Sequence, residues 1–334
     1  MIKYLAAMGI LTITISMTGC AQDNEQNQVE EEQVEQTERE QDAGTETQEN
    51  SSGVIAASDF FESFTGKIDH IHGIGYVGNQ NAPFYATHDG IKVYENGEWF
   101  KTKKENNDYM GFSPTAEGFY TSGHPGPGSD LPNPFGIKKS TDSGQTLQDI
   151  VLEGETDFHT MGAGYNNNTL FVLNPVKNSL MEANRFYHSE DGGKTWNEAK
   201  ASGIEGEIIN IAVHPDDSNV VAASGGEGVF LSENGGESFE RVSNNVQGTA
   251  VYFSKDSLWY GGYSGDAMLI KRSLENGEEE EINLPEMNQD AVQYFAQNPQ
   301  KEDELTFVSI KGKVYQTVNG ASDWEIIVED GKSK

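Results

Sequence analysis

The sequence predicts an all-β protein folded as a β-propeller of six blades, with seven blades as an alternative. A short motif of the form Ser-x-Asp-x-Gly-x-Thr-Trp recurs along the chain. Its copies and weaker echoes begin 41 to 49 residues apart, which is the length of four short strands with their turns. The chain also contains 37 glycines and 10% aromatic residues, as expected for many tight turns between short strands.

The motif is predicted to form the turn between the third and fourth strands of a blade. The clearest copy, SEDGGKTW, occupies 189–196; further copies occupy 140–147, 232–239 and 317–324, and echoes begin at 92 and 273. Glycine adopts positive φ without steric cost, an Asp or Asn side chain can bond nearby backbone N–H groups, and the final aromatic ring packs between sheets. We therefore expect a structural role for Asp142, Asp191, Asn234, Asn319, Trp196, Phe239 and Trp324.

This repeat resembles the Asp-box, or BNR, repeat of sialidases, sortilins and photosystem assembly factors of the Ycf48 type. The resemblance covers roughly residues 68–330. It implies the propeller fold and leaves the activity open, because function depends on sites placed on a fold.

The amino terminus is predicted to be an export signal followed by a tether. Lys3 precedes an apolar run at 5–17, and the run ends beside Cys20, the only cysteine, in a sequence that resembles a lipobox. We expect residues 1–19 to be removed and Cys20 to be lipidated, which would anchor the protein to the outer face of the cell membrane. The alternative is an ordinary secretory signal with an incidental cysteine.

Residues 20–52 are predicted to be a disordered acidic linker, with the propeller at 53–334. Eleven acidic residues, one Arg and almost nothing apolar lie between 21 and 52, so this segment cannot bury enough surface to fold. The whole chain has 22 Lys and Arg against 54 Asp and Glu, a net charge of −32. This charge argues against nucleic acid as a partner and favours cations, and we expect a monomer.

The six predicted blades follow one another from residue 68 onward. They span 68–102, 108–152, 157–201, a fourth blade with strands at 208–213, 219–223 and 228–232 and a last strand near 238, then 249–285 and 290–329. The preceding segment at 54–64 would either contribute to a seventh blade or add a strand to the last blade. Closing the ring matters because it removes exposed sheet edges.

Five of the seven histidines are predicted to share one mouth of the central channel. His70, His72 and His159 begin first strands, whereas His88 and His124 end second strands, and these ends meet at one rim of a propeller. His188 and His214 fall elsewhere and are expected to be structural.

Alignment of the first strands of blades 1–3 on a shared glycine predicts a metal site. In this alignment His70, Asp108 and His159 form one layer, with His72, Met110 and Met161 below it, because residues two apart share a face of a strand. Imidazole, carboxylate and thioether groups suit copper, zinc or iron. The predicted ligands are His70, His72, His88, His124, His159 and Asp108, with Met110 and Met161 as secondary candidates. The alternative is that these groups only bind water and backbone or pack.

A proline-rich loop at 122–135 is predicted to present His124 and Asp130 at the same rim. Its four prolines reduce its freedom. Together with the histidines, this loop resembles a narrower group of exported BNR-repeat proteins loosely labelled glycosyl hydrolases or exo-sialidases. The resemblance implies that the histidine rim defines the group.

Three function classes stay open: a binding or assembly propeller for a protein or glycan, a metal-binding propeller, and a hydrolase of extracellular glycans. A sialidase would need three arginines around its substrate carboxylate. Arg185, Arg241 and Arg272 are the arginines that follow the linker, and none falls on a predicted first strand. We therefore predict a binding propeller with a metal site, assign no catalytic residue, and keep a glycoside hydrolase as the alternative.

Overall fold

A computed structural model describes residues 54–334 as six antiparallel sheets, four with four strands and two with five, arranged as the blades of a propeller. The predicted signal segment, Cys20 and the acidic linker lie outside the described residues, as does residue 53 at the start of the predicted propeller. These assignments stay predictions. No helix among residues 54–334 is long and apolar enough to cross a membrane.

Blades 1–3 contain β1 to β13 in chain order. Blade 1 comprises β1 (Phe61–Ser63), β2 (Ile71–Tyr76), β3 (Pro83–Thr87), β4 (Gly90–Glu95) and β5 (Glu98–Thr102). Blade 2 comprises β6 (Asp108–Thr115), β7 (Gly118–His124), β8 (Ile137–Ser140) and β9 (Gln148–Val151). Blade 3 comprises β10 (Met161–Ala163), β11 (Leu170–Asn174), β12 (Arg185–Ser189) and β13 (Asn197–Ala199).

Blades 4–6 contain β14 to β26. Blade 4 comprises β14 (Ile208–Val213), β15 (Val221–Gly225), β16 (Gly228–Ser232) and β17 (Glu240–Arg241). Blade 5 comprises β18 (Gln247–Phe253), β19 (Ser257–Tyr263), β20 (Ala267–Ser273) and β21 (Glu279–Glu281). Blade 6 comprises β22 (Val292–Asn298), β23 (Lys301–Ser309), β24 (Val314–Thr317), β25 (Glu325–Glu329) and β26 (Lys332–Ser333). The prediction of six blades is confirmed.

The hydrophobic core is divided into six clusters, one between each pair of neighbouring blades. Successive residues of a strand face opposite sides of its sheet. Accordingly Phe84 packs towards blade 2, whereas Tyr85 on the same strand packs towards blade 6. In the same way, Phe171 on β11 packs towards blade 4, whereas Leu170 packs towards blade 2. Burial of each such side chain contributes about 1.5–3 kcal/mol to the free energy of folding. These clusters therefore hold neighbouring blades together.

The four clear copies of the repeated motif form closely similar turns between the third and fourth strands. In blade 3, Ser189 Oγ donates to Asp191 Oδ1 at 2.8 Å, and the Thr195 N–H donates to the same oxygen at 2.9 Å. Asp142, Asn234 and Asn319 accept equivalent pairs of hydrogen bonds in blades 2, 4 and 6. Asn serves as well as Asp because the contact uses one oxygen acceptor.

The aromatic residues that end these motifs pack between blades. Phe239 is buried in the cluster between blades 3 and 4, and Trp196 packs against the cluster between blades 2 and 3. Trp324 donates its Nε1–H to the Asn283 carbonyl at 2.8 Å, which ties blade 6 to the segment after blade 5. The aromatic residues of the motif thus contact neighbouring blades.

Ring closure differs from both predicted arrangements of the segment at 54–64. β1 pairs antiparallel with β5 and so extends blade 1 instead of the last blade, and no seventh blade is present among residues 54–334. Blade 6 receives the following residues instead: Lys67 bridges Lys332, and the Ile68 N–H donates to the Gly331 carbonyl at 2.7 Å. The prediction that the segment at 54–64 adds a strand to the last blade is wrong, because the chain crosses from blade 1 to blade 6 only after β1 has paired with β5.

Candidate metal centre

The first strands of blades 1, 2 and 3 bring the predicted rim histidines to one mouth of the channel. His72 lies in β2 and His88 lies in the turn between β3 and β4. His124 is the last residue of β7, and His159 lies two residues before β10. We call this group, together with His70, the histidine rim. The structure divides it into two separate clusters.

The first triad consists of His72, His88 and Asp108. His88 Nδ1 lies 3.0 Å from Asp108 Oδ2, and His72 Nε2 lies 3.8 Å from Asp108 Oδ1. One ligand atom from each residue can be chosen so that all three lie within 4.8 Å of one another. Because Asp108 is the first residue of β6, this triad joins blade 1 to blade 2.

Two polar atoms of the first triad are buried without a hydrogen-bond partner among the described residues. They are His72 Nε2 and Asp108 Oδ1, which face each other. Their separation of 3.8 Å is too long for a hydrogen bond. Two atoms that bind one zinc-sized ion at about 2.1 Å lie about 3.4 Å apart at a tetrahedral angle and about 4.2 Å apart when opposite. The pair is therefore spaced as two ligands of one ion would be.

His70 lies outside both triads and corrects the predicted layers. Its ring packs edge-on against His88, with centroids 4.9 Å apart, and it is His72 that faces Asp108. Two features break the simple alternation: His70 has a φ of 47°, and the β2–β3 register shifts between Ile71 and Gly73. A second shift lies between Tyr109 and Phe112 in β6. The predicted layer of His70, Asp108 and His159 is therefore wrong.

The second triad consists of His124, Asp157 and His159. Asp157 Oδ2 lies 3.2 Å from His124 Nε2 and 2.5 Å from His159 Nε2. Asp157 is not among the ligands predicted from the sequence, because acidic residues are abundant and nothing singled it out. Its position two residues before His159 was the available signal.

The pKa values of one histidine in each cluster are shifted in opposite directions. Burial, followed by the charge of His88, lowers the pKa of His72 to about 4, and Asp108 offsets this only in part. The hydrogen bond to Asp157 raises the pKa of His159. His72 is thus a neutral imidazole at neutral pH, the form that binds metal ions.

The remaining predicted candidates take other positions. Met161 is buried against Phe158 and Leu170 in the cluster between blades 2 and 3, and Met110 is half-buried in β6. Asp130 is exposed on the proline-rich loop. His214 Nε2–H donates to the Lys255 carbonyl at 2.8 Å, a contact that fits the predicted structural role.

The channel below the rim is lined mainly by aromatic and aliphatic side chains. His72 and His159 both line it, together with residues such as Tyr76, Phe112 and Tyr252. No arginine is among the described residues that line the channel. Arg185 and Arg272 pair with Glu198 and Glu279 at 3.2 and 3.1 Å, so the arginine clamp of a sialidase is not assembled here.

Each triad offers two imidazoles and one carboxylate. This donor set suits divalent first-row transition metals and lacks the thiolates that select copper(I) or iron–sulfur clusters. Three protein ligands also leave a coordination position open for water or a further ligand.

Comparison with solved structures shows the propeller fold. The GH74 enzyme of Niastella koreensis superimposes with a TM-score of 0.54 at 17% identity, over 81% of this chain and 47% of that one. An ancestral GH74 enzyme gives 0.50 at 13% identity, over 82% and 40%. The extracellular domain of a putative one-component system from B. thetaiotaomicron gives 0.50 at 13% identity, over 81% and 35%. The chain thus spans less than half the length of each of these proteins.

No protein-family model matches the chain, and no curated protein matches it. At such low sequence identity, the structural likeness shows the fold alone.

Proposed function

We propose that the protein is a binding propeller that holds one divalent transition metal at the channel mouth through His72, His88 and Asp108. The single observation that carries this proposal is the pair formed by His72 Nε2 and Asp108 Oδ1. Both atoms are buried, neither has a hydrogen-bond partner among the described residues, and they lie 3.8 Å apart.

The energetics of burial support a cation between these two atoms. A buried polar atom without a partner costs about 1–3 kcal/mol, and a charged one costs more. A bound cation satisfies both atoms at once and also neutralises the Asp108 carboxylate. Because the pKa of His72 is lowered to about 4, protons do not compete for its Nε2 at neutral pH. Copper(II), zinc and iron(II) all suit these ligands, and copper(II) is expected to bind tightest.

The proposed role is binding, because three protein ligands leave a coordination position open. An oxygen or nitrogen donor from a protein or glycan partner could complete the coordination there. The predicted lipid anchor at Cys20 would hold the protein at the cell surface. The likeness to GH74 enzymes extends to the fold alone, so it lends no specific support to the alternative of a glycoside hydrolase.

Metal titration of matched variants tests the proposal. The protein, purified without a tag or chelator, is titrated with zinc and with copper(II) in the presence of excess Mg²⁺, which occupies weak acidic surface sites. Asp108→Asn should lower affinity at one site by on the order of 100-fold or more, since even indirect losses around metal sites cost 10–100-fold. Asp130→Asn removes an exposed carboxylate from a nearby loop and should leave affinity unchanged. Equal affinities in both variants would refute the proposal.

A further inference from the structure

We infer that His124, Asp157 and His159 form a second, separate metal position, so that the channel mouth holds two divalent ions per chain. This inference deepens the proposed function, but it depends on different residues and different contacts. Its three side chains come from the end of β7 and from the segment that leads into β10.

Both ring nitrogens of His124 face side-chain oxygen atoms. His124 Nδ1 lies 2.6 Å from Asn133 Oδ1, and His124 Nε2 lies 3.2 Å from Asp157 Oδ2. A metal ion bound by Nε2 and Oδ2 would leave Nδ1–H to donate to the Asn133 oxygen, which is an acceptor.

Asn133 and Ser122 contact two of the proposed metal ligands and can orient them. A metal-binding His commonly donates its other ring N–H to an oxygen acceptor, and Asn133 Oδ1 lies in that position beside His124 Nδ1. Ser122 Oγ is 3.3 Å from Asp157 Oδ1 and accepts the Phe158 N–H at 2.9 Å. Ser122 is fully buried, so the carboxylate is held with Oδ2 turned to the two imidazoles.

The proline-rich loop fixes Asn133 relative to His124. The Phe135 N–H donates to the Gly123 carbonyl at 3.0 Å, and the Phe135 ring is fully buried between blades 1 and 2. At the other end of the loop, the Gly126 N–H donates to Asn107 Oδ1 at 2.9 Å. Anchored at both ends, the loop lets His124 meet the metal without a large ordering cost.

The two metal positions are neighbours with separate ligands. His72 and His159 line the same channel, and the charges of His159 and Asp108 affect the pKa values of His72 and His159 respectively. No side chain belongs to both triads. Each triad supplies one carboxylate, so two divalent ions would each have a charged ligand.

Counting bound zinc by elemental analysis, after equilibration with zinc and excess Mg²⁺, tests the inference. Wild type should bind two equivalents, and Asp108→Asn and His159→Ala should each bind one. Asn133→Asp keeps an oxygen acceptor for His124 and should retain two equivalents, whereas Asn133→Leu should weaken the second position by about 10–100-fold. Thermal unfolding of each variant verifies that it is folded.

The outcomes separate this inference from the proposed function. One equivalent that is lost in Asp108→Asn and kept in His159→Ala would overturn the second position and leave the first. One equivalent that is lost in His159→Ala and kept in Asp108→Asn would support the second position and overturn the first. One equivalent lost in both variants would indicate a single shared site and overturn the inference, and no bound zinc would overturn both claims.

Discussion

Single side chains decide whether the channel mouth is a metal site or a polar surface. Asp108 faces an imidazole across a gap too long for a hydrogen bond, whereas Asp157 directly contacts two imidazoles. The same residue types thus give two different environments within one rim. Metal binding at the rim therefore depends on individual side-chain contacts, and each contact can be tested by a near-isosteric substitution.

Asp191 provides a test of pH-dependent stability away from the metal centre. Hydrogen bonds from the backbone N–H and hydroxyl of Thr195 lower its pKa to about 2. The native state therefore binds fewer protons there than the unfolded state, so this stabilisation is present above the usual Asp pKa of about 3.9 and is lost as pH falls towards 2. Asp191→Asn, which matches the natural Asn234 and Asn319, should flatten that part of the curve of unfolding free energy against pH.

Denaturant unfolding between pH 2 and pH 6 measures this effect, and Asn234→Asp is the reciprocal variant. It should steepen the acid slope, since it introduces a carboxylate with an equivalent backbone donor in Ser238. Identical slopes for wild type and Asp191→Asn would show that the turn does not hold the charged form preferentially.

Gly111 tests how closely blades 2 and 3 approach beside the rim. A Cβ at this position would lie 2.1 Å from the Phe158 carbonyl oxygen, so Gly111→Ala requires a backbone shift and should destabilise the protein by about 1–3 kcal/mol. Gly226 is exposed, with nothing within 4 Å of the equivalent position. Gly226→Ala should change the unfolding free energy by less than about 0.5 kcal/mol. Equal effects of the two variants would contradict the close packing.

At the scale of strands and turns, the periodic features were predictable from sequence and the pairing of side chains was not. The repeat length predicted six blades with seven as the alternative, and the turn motif located the junction between third and fourth strands. Two register shifts next to the rim, and the positive φ of His70, then changed which histidine faces Asp108. Such bulges depend on contacts between strands, so the alternation of residues along one strand does not reveal them.

The closing strand gives a test at this scale. Removing residues 331–334 deletes the hydrogen bonds from Ile68 to the Gly331 carbonyl and between Ser333 and Gly66, together with β26. The loss should destabilise the ring by roughly 2–4 kcal/mol, at about 1 kcal/mol for each hydrogen bond. Ser333→Ala keeps the backbone bonds and should cost less than about 1 kcal/mol. Unchanged thermal unfolding of the truncated chain would contradict this role in closure.

Across the whole molecule, closure of the ring positions the two triads. Each triad joins residues of two neighbouring blades, so its geometry depends on the hydrophobic clusters between those blades. A sequence-based prediction could gather the histidines at one mouth because blade order fixes which strand ends meet. It could not select Asp157 from many acidic residues, because that selection depends on the orientation set by Ser122 and the proline-rich loop.

The most direct test of the first metal position is anomalous X-ray scattering from crystals equilibrated with zinc. Diffraction data collected on both sides of the zinc absorption edge locate the ion without assuming its ligands. We expect an anomalous peak about 2.0–2.2 Å from both His72 Nε2 and Asp108 Oδ1. The absence of an anomalous peak between these two atoms, whether or not zinc is bound elsewhere, would show that His72 and Asp108 do not hold a metal ion.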